Sequence, residues 1–266
     1  MVEPRPSDQR TKPAATATGR YAQMHFVSGV AEQYERVYGQ ETYDTLIWKS
    51  ELPFVRRVLE EVRARRGRLK YLDFACGTGR IIGSVEDLAT ESVGLDISPL
   101  MLAKATAHVR SELRSGDLLA DPTVVDDDYD VITAFRFYLN TEPDVRLPIM
   151  RELASRLQDG DARLVFNIHG NRRSILSLTT LYRRLRGWPP LTLMSPPEVR
   201  RLVAAAGLEI VRTRRFGLLP RRLYRTRFRG LAAALDRAGD RMAVLNAFGQ
   251  DAVYVCARQR RPNDAT

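Results

Sequence analysis

The run Asp73-Phe74-Ala75-Cys76-Gly77-Thr78-Gly79-Arg80 follows a short apolar stretch, and its glycines let backbone amides come close to a ligand. The segment after it, IIGSVEDLA, is expected to open a helix whose positive end faces that ligand. A polar, partly anionic cofactor suits such a turn. A dinucleotide fingerprint would need a small residue where Ile82 stands, and Gly83 comes one position late, so a nicotinamide dinucleotide is disfavoured.

Four segments occur in an order that carries a family resemblance. The turn, read as DxAxGTGR, resembles motif I of class I (Rossmann-like) S-adenosylmethionine-dependent methyltransferases, with alanine in place of the first glycine. The resemblance spans roughly residues 30 to 258 and implies S-adenosyl-L-methionine as cofactor, with Asp73, Ala75, Gly77 and Gly79 forming its turn. Residues 92–105, SVGLDISPLMLAKA, resemble the second family motif, which implies that Asp96 accepts hydrogen bonds from the ribose hydroxyls, with Ile97 and Met101 beside it. Ser115-Gly116-Asp117-Leu118 looks like the segment whose acid meets the adenine amino group while the next residue packs on the ring. Tyr129 to Arg136 looks like the fourth strand of the family, which passes beneath the cofactor and places Phe135 there.

Upstream, Tyr34-Glu35-Arg36-Val37-Tyr38 followed by Glu41-Thr42-Tyr43 resembles the first helix of small-molecule methyltransferases, including those acting on sugars and secondary metabolites. It implies cofactor contacts for Tyr34 and Tyr43. Glutamate replaces the usual aspartate and Tyr38 comes one residue late, so aromatic packing onto the core is the competing reading.

The elements that must position these residues read as an alternation of short apolar runs and amphipathic segments, the pattern of a parallel sheet with crossover helices. Strands are expected at 69–74, 92–97, 113–116, 129–135, 162–168, 208–215 and 252–258. The expected fold class is α/β: a seven-stranded, mostly parallel Rossmann-like sheet with helices on both faces, an N-terminal helical region and helical lid insertions. Ser98-Pro99 and Ser195-Pro196 are helix-start signals, and Gly207 is a stop. Ser50 and Pro53 suggest a break and a new helix start within the N-terminal helical region. The expected division is a disordered tail at 1–20, a helical cap at 21–66, a methyltransferase domain at 67–260 with insertions at 172–194 and 216–248, and a tail at 261–266.

Methyl transfer from a sulfonium is an in-line displacement that rests on positioning and desolvation, and an alcohol acceptor adds the need for a base. His169 ends the fifth strand at the ligand-binding edge and is the candidate base, its ordinary pKa lying at about 6.5. A histidine that merely bonds the loop is the alternative. Asn140 is a candidate for orienting the acceptor, and Arg136 and Tyr138 for binding it. After the fourth strand the sequence FRFYLN lacks the (N/D)PP(Y/F) tetrapeptide of adenine and glutamine amino-methyltransferases and the Pro-Cys of cytosine-C5 enzymes. A small-molecule acceptor is therefore favoured.

Charge adds a second theme. Residues 172–229 hold fifteen arginines against only Glu198 and Glu209, within a chain of net charge +10. Such a segment suits an anionic part of a small acceptor, nucleic acid or an anionic membrane surface, with RNA or a membrane lipid as the alternative methyl acceptor, or is simply a solvated basic face. Cys76 and Cys256 form no CxxC pair and sit in no His/Cys cluster, so no metal site is expected. The first residues lack a secretory apolar stretch, and a cytoplasmic protein is expected. A non-catalytic S-adenosylmethionine-binding interaction protein is the reading from a different class.

Overall fold

The computed structural model describes residues 43–221 and 247–259, together with positions 223, 226, 230, 231, 234 and 235. The tails expected at 1–20 and 261–266, most of the 216–248 insertion, and Tyr34 with the first half of the helical cap lie outside the described residues.

Seven strands form one sheet in the order β3-β2-β1-β4-β5-β7-β6. They are β1 (Lys70–Phe74), β2 (Glu91–Asp96), β3 (Glu112–Ser115), β4 (Val131–Ala134), β5 (Arg163–Ile168), β6 (Leu208–Phe216) and β7 (Asp251–Arg258). The first five run parallel, and β7 lies antiparallel between β5 and β6. Successive strand residues face opposite sides, and both sides are covered. On one face, Tyr71, Val131, Val165, Val253 and Val255 pack beneath α1 (Tyr43–Arg66). On the other, Leu72, Ile132, Leu164 and Phe166 pack beneath α3 (Pro143–Ser155) and α5 (Pro196–Ala205). Helix α2 (Pro99–Ala105) follows β2, and α4 (Leu176–Leu185) follows β5 within the 172–194 insertion.

The start and stop signals act as the sequence suggests. Ser195 and Glu198 complete a reciprocal capping box for α5, Ser98 accepts from the Met101 amide at 3.4 Å, and Gly207 leaves α5 at φ +75°.

Two expectations need correction. Helix α1 runs unbroken through Ser50 and Pro53. Pro53 is exposed, so the carbonyl it leaves unbonded can turn to water, while Ile47, Phe54, Val55, Val58, Leu59 and Val62 are buried on both sides of it. Each such burial is worth about 1.5–3 kcal/mol, which together outweigh a proline penalty of about 3 kcal/mol. The segment after the glycine turn is not an α-helix but two 3₁₀ turns, Ile82–Ser84 and Glu86–Leu88. Gly83 and the β-branched Ile81, Ile82 and Val85 are poor α-formers, and the amides of Ser84, Val85, Leu88 and Ala89 close on carbonyls three residues back. A short macrodipole is all that remains there. Among the described residues no helix is long and apolar enough to cross a membrane.

Candidate active site

Strand order brings the carboxyl ends of β3, β2, β1, β4 and β5 side by side, and a cavity of about 350 Å³ lies along them. Ala75, Gly77, Asp96, Ile97, Met101, Asp117, Leu118 and Phe135 all line it, as do Arg136, Asn140 and His169.

The turn after β1 is built around reversed backbone: Ala75, Gly77 and Gly79 have φ of +54°, +56° and +79°. A Cβ on Gly77 would meet no atom within 4 Å, so the turn is open on its cavity side. At Gly79 the same atom would lie 2.5 Å from Val109 Cγ2, which makes this glycine a packing requirement beneath the site. The Asp96 carboxylate ties the turn to the next strand: Oδ2 accepts from the Gly77 amide and Oδ1 from the Ser98 amide, both at 2.8 Å. A carboxylate oxygen can accept from more than one donor. Asp117 Oδ1 accepts from the Leu119 amide at 3.0 Å, while Oδ2 is buried with no protein partner. A buried acceptor left unmet by protein is what an exocyclic amine would satisfy.

Asp73 sits behind this surface. Its carboxylate accepts from Thr133 Oγ1 at 2.7 Å and the Ile82 amide at 3.1 Å, and Thr133 is in turn 2.6 Å from the Tyr71 hydroxyl. Burial raises the Asp73 pKa to about 7 despite these bonds. Asp73 therefore shapes the turn from below and does not line the cavity.

The far end, over β4 and β5, is built from charge. Arg136 has φ +58°, held by its amide donating to Asn167 Oδ1 at 2.7 Å. Its guanidinium lies 2.8 Å from Asp44 and 3.9 Å from Asp251. Arg221 donates to the His169 carbonyl at 2.9 Å and stacks over the Tyr43 ring at 4.7 Å. Its Nε, and Nδ1 of His169, are buried without a hydrogen-bond partner. Burial, followed by the positive charges of Arg136 and Arg221, holds the His169 pKa well below the ordinary histidine value. Beneath them, burial raises Glu51 to about 7, partly opposed by Arg136, and burial also raises Asp251.

Besides Asp73 and Gly79, two further residues expected to contact ligands lie off the cavity. Tyr138 is fully buried, edge-on to Phe137 and Phe166 at 5.3 and 5.0 Å, because the turn after β4 directs its ring into the core. Tyr43 is absent from the cavity lining; its hydroxyl donates to Asp251 Oδ2 at 2.6 Å, joining the start of α1 to the start of β7. Asn140 lines the rim, with its amide donating to the Arg136 carbonyl. Sequence reasoning missed Glu51, Asn167, Asp251 and Arg221. Glu51 and Asn167 do leave a trace, each being a polar residue within an apolar buried pattern.

Residues 72–160 match the family model described as a methyltransferase domain. No curated protein matches the sequence. Among solved structures, magnesium protoporphyrin IX methyltransferase from Synechocystis PCC 6803 with bound S-adenosylhomocysteine aligns over 89% of this chain and 97% of its own, at 18% identity and TM-score 0.59. A possible histamine N-methyltransferase from Thermotoga maritima aligns over 89% and 99%, at 15% identity and TM-score 0.54. The DhpI complex with S-adenosylhomocysteine aligns over 92% and 98%, at 17% identity and TM-score 0.56. At these identities the likeness is one of fold.

Proposed function

Since the chain carries a methyltransferase domain in the class I S-adenosylmethionine-dependent fold, we propose that it methylates an oxygen or nitrogen of a small biosynthetic intermediate bearing an acidic group. The observation that carries the acceptor half of this reading is the pair of buried, unmet nitrogens, Arg221 Nε and His169 Nδ1, in the cavity wall. They lie beyond the end of β5, while Asp117 follows β3, and those strands stand four places apart in the sheet. At about 4.8 Å per strand that spacing leaves room for two ligands end to end.

The residues fit the cofactor. Asp117 Oδ2 needs a donor, Leu118, Ile97 and Met101 offer apolar surface to an adenine ring, Asp96 suits a ribose diol, and the open side of Gly77 admits the chain beyond it. When bound there, S-adenosylmethionine supplies an electrophilic methyl group. Phe74, Phe135 and Phe137 line the middle of the cavity and exclude water from it. Arg136 and Arg221 hold the acidic part of the acceptor, a task that suits the guanidinium fork. Burial and the two arginines keep His169 neutral, so its Nδ1 is placed to accept a hydrogen bond from an acceptor hydroxyl and orient it, and the acidic group held by those arginines offsets their charge as His169 takes the hydroxyl proton. This favours oxygen, since an amine need only arrive unprotonated. Asn140 steadies the rim.

The test is transfer of labelled methyl groups from S-adenosylmethionine into metabolites separated by anion exchange. Label is expected in the retained fraction. Label confined to neutral products would overturn the acidic acceptor, and no label in any fraction would overturn methyl transfer. His169→Ala is expected to lower kcat roughly 100-fold with cofactor affinity unchanged; an unaltered rate would make His169 structural.

A further inference from the structure

Helix α4 carries its apolar side away from the protein. Ile175, Leu178, Leu181, Tyr182 and Leu185 fall within an arc of about 120° at 100° per residue. All five are exposed, Leu178 at 67% and Leu185 at 79%, whereas Leu176 on the opposite side is buried. A helix held to a domain normally turns its apolar stripe inward, and contiguous exposed apolar surface of this kind marks an interaction site. Trp188 extends the stripe, half-exposed and edge-on to Tyr182 at 6.3 Å.

The surroundings of the stripe are cationic. Arg186 borders it on one side and Arg184 on the other, Arg173 and Arg183 lie farther round toward Leu176, and residues 172–194 contain no Asp or Glu. Arg186 lies over the Tyr182 ring at 5.5 Å and Arg183 over Trp188 at 6.0 Å, which keeps the charges level with the aromatic edge. We propose that α4 and Trp188 dock this protein, reversibly and in the plane of the interface, onto an anionic phospholipid surface. Leucines flanked by arginines, with Trp and Tyr at the margin, match the depth profile of such a surface, apolar below and anionic above. A second copy of the chain is disfavoured because a two-fold contact would bring arginines against arginines with no acid in the segment to pair them. Nucleic acid would favour aromatic platforms, whereas three of the five stripe residues are leucines. The proposal requires no particular acceptor and stands apart from the methyl-transfer reading.

The experiment is co-sedimentation of the full chain with phosphatidylcholine vesicles, with and without phosphatidylglycerol, alongside Trp188 emission. Binding is expected only with the anionic vesicles, with a blue shift of emission that Trp188→Phe abolishes. Leu178→Glu/Leu185→Glu is expected to lower partitioning more than tenfold, and Arg184→Glu/Arg186→Glu by about fivefold or more for each charge removed. Both variants should keep wild-type cofactor affinity and melting temperature. Absence of vesicle binding, or binding equal in wild type and variants, overturns the proposal. So does loss of binding accompanied by a fall in melting temperature, which would place the stripe inside the protein. Self-association abolished by Leu178→Glu, or tight RNA binding without vesicle binding, would assign the face to those partners instead.

Discussion

The Gly77 amide donates to Asp96 Oδ2 at 2.8 Å, so the acid at the end of β2 fixes the shape of the turn that follows β1. One carboxylate thus both shapes the turn and lines the cavity. Asp96→Ala is expected to weaken binding of S-adenosylhomocysteine at least tenfold, because hydrogen bonds to a charged group are worth about 1.5–3 kcal/mol. Calorimetry measures it, and unchanged affinity would remove Asp96 from the cofactor site.

Asp117 separates binding from folding more cleanly. Its Oδ2 has no protein partner, so Asp117→Asn exchanges an unmet, charged acceptor for a neutral donor without breaking a described side-chain bond. The unliganded protein should melt at the wild-type temperature or higher, while affinity for the adenine-bearing ligand falls roughly tenfold. A variant that binds as tightly as wild type would place adenine elsewhere.

Gly79→Ala is expected to destabilise by about 2–4 kcal/mol, combining the strain of a left-handed backbone with overpacking. The steric part has a named source, since the new Cβ would lie 2.5 Å from Val109 Cγ2 and 3.0 Å from Ala105 Cβ. Adding Val109→Ala should recover part of the loss in urea midpoint. Gly77→Ala meets no neighbouring atom, so its cost should be the conformational term alone, about 1–2 kcal/mol.

Glu51 predicts a pH dependence with a definite sign. Burial raises its folded pKa from 4.5 to about 7, so the folded protein holds a proton that the unfolded chain has released in that interval. Its stabilising contribution is therefore full below about 4.5 and lost as pH rises through about 7. His169, with a lowered pKa, acts in the opposite direction as pH falls below 6.5. The readout is the difference between wild type and Glu51→Gln. Wild type should lose stability relative to the variant on going from pH 5 to pH 8, on the order of 1–3 kcal/mol, and parallel curves would refute the assignment.

Strands were legible because buried parallel strands leave short apolar runs whatever surrounds them. Asp96 was legible for a related reason, as an acid closing such a run, whereas Asp117, after the half-exposed ELRS of β3, was legible only through the resemblance of Ser115 to Leu118 to the family segment. The charged floor was not. Asn167 reaches the Arg136 amide from 31 residues away, and Asp251 reaches Tyr43 from 208 away, distances over which local pattern carries no signal. Tyr138 misled because a turn reverses side-chain direction within two residues. The helix expected after the glycine turn was misjudged where Gly83 and β-branched neighbours weakened it.

The position of β7 bears on the order of assembly. It is the last of the seven strands to leave the ribosome, yet it lies between β5 and β6. Until it arrives, β5 presents an open edge and β6 has no strand to join. The Arg136 partner Asp251 sits at its first position, so the charged floor of the cavity and the final pairing of the sheet must be completed in the same late event. A translating chain therefore remains without a finished cavity, and prone to edge pairing with other chains, until that strand is inserted.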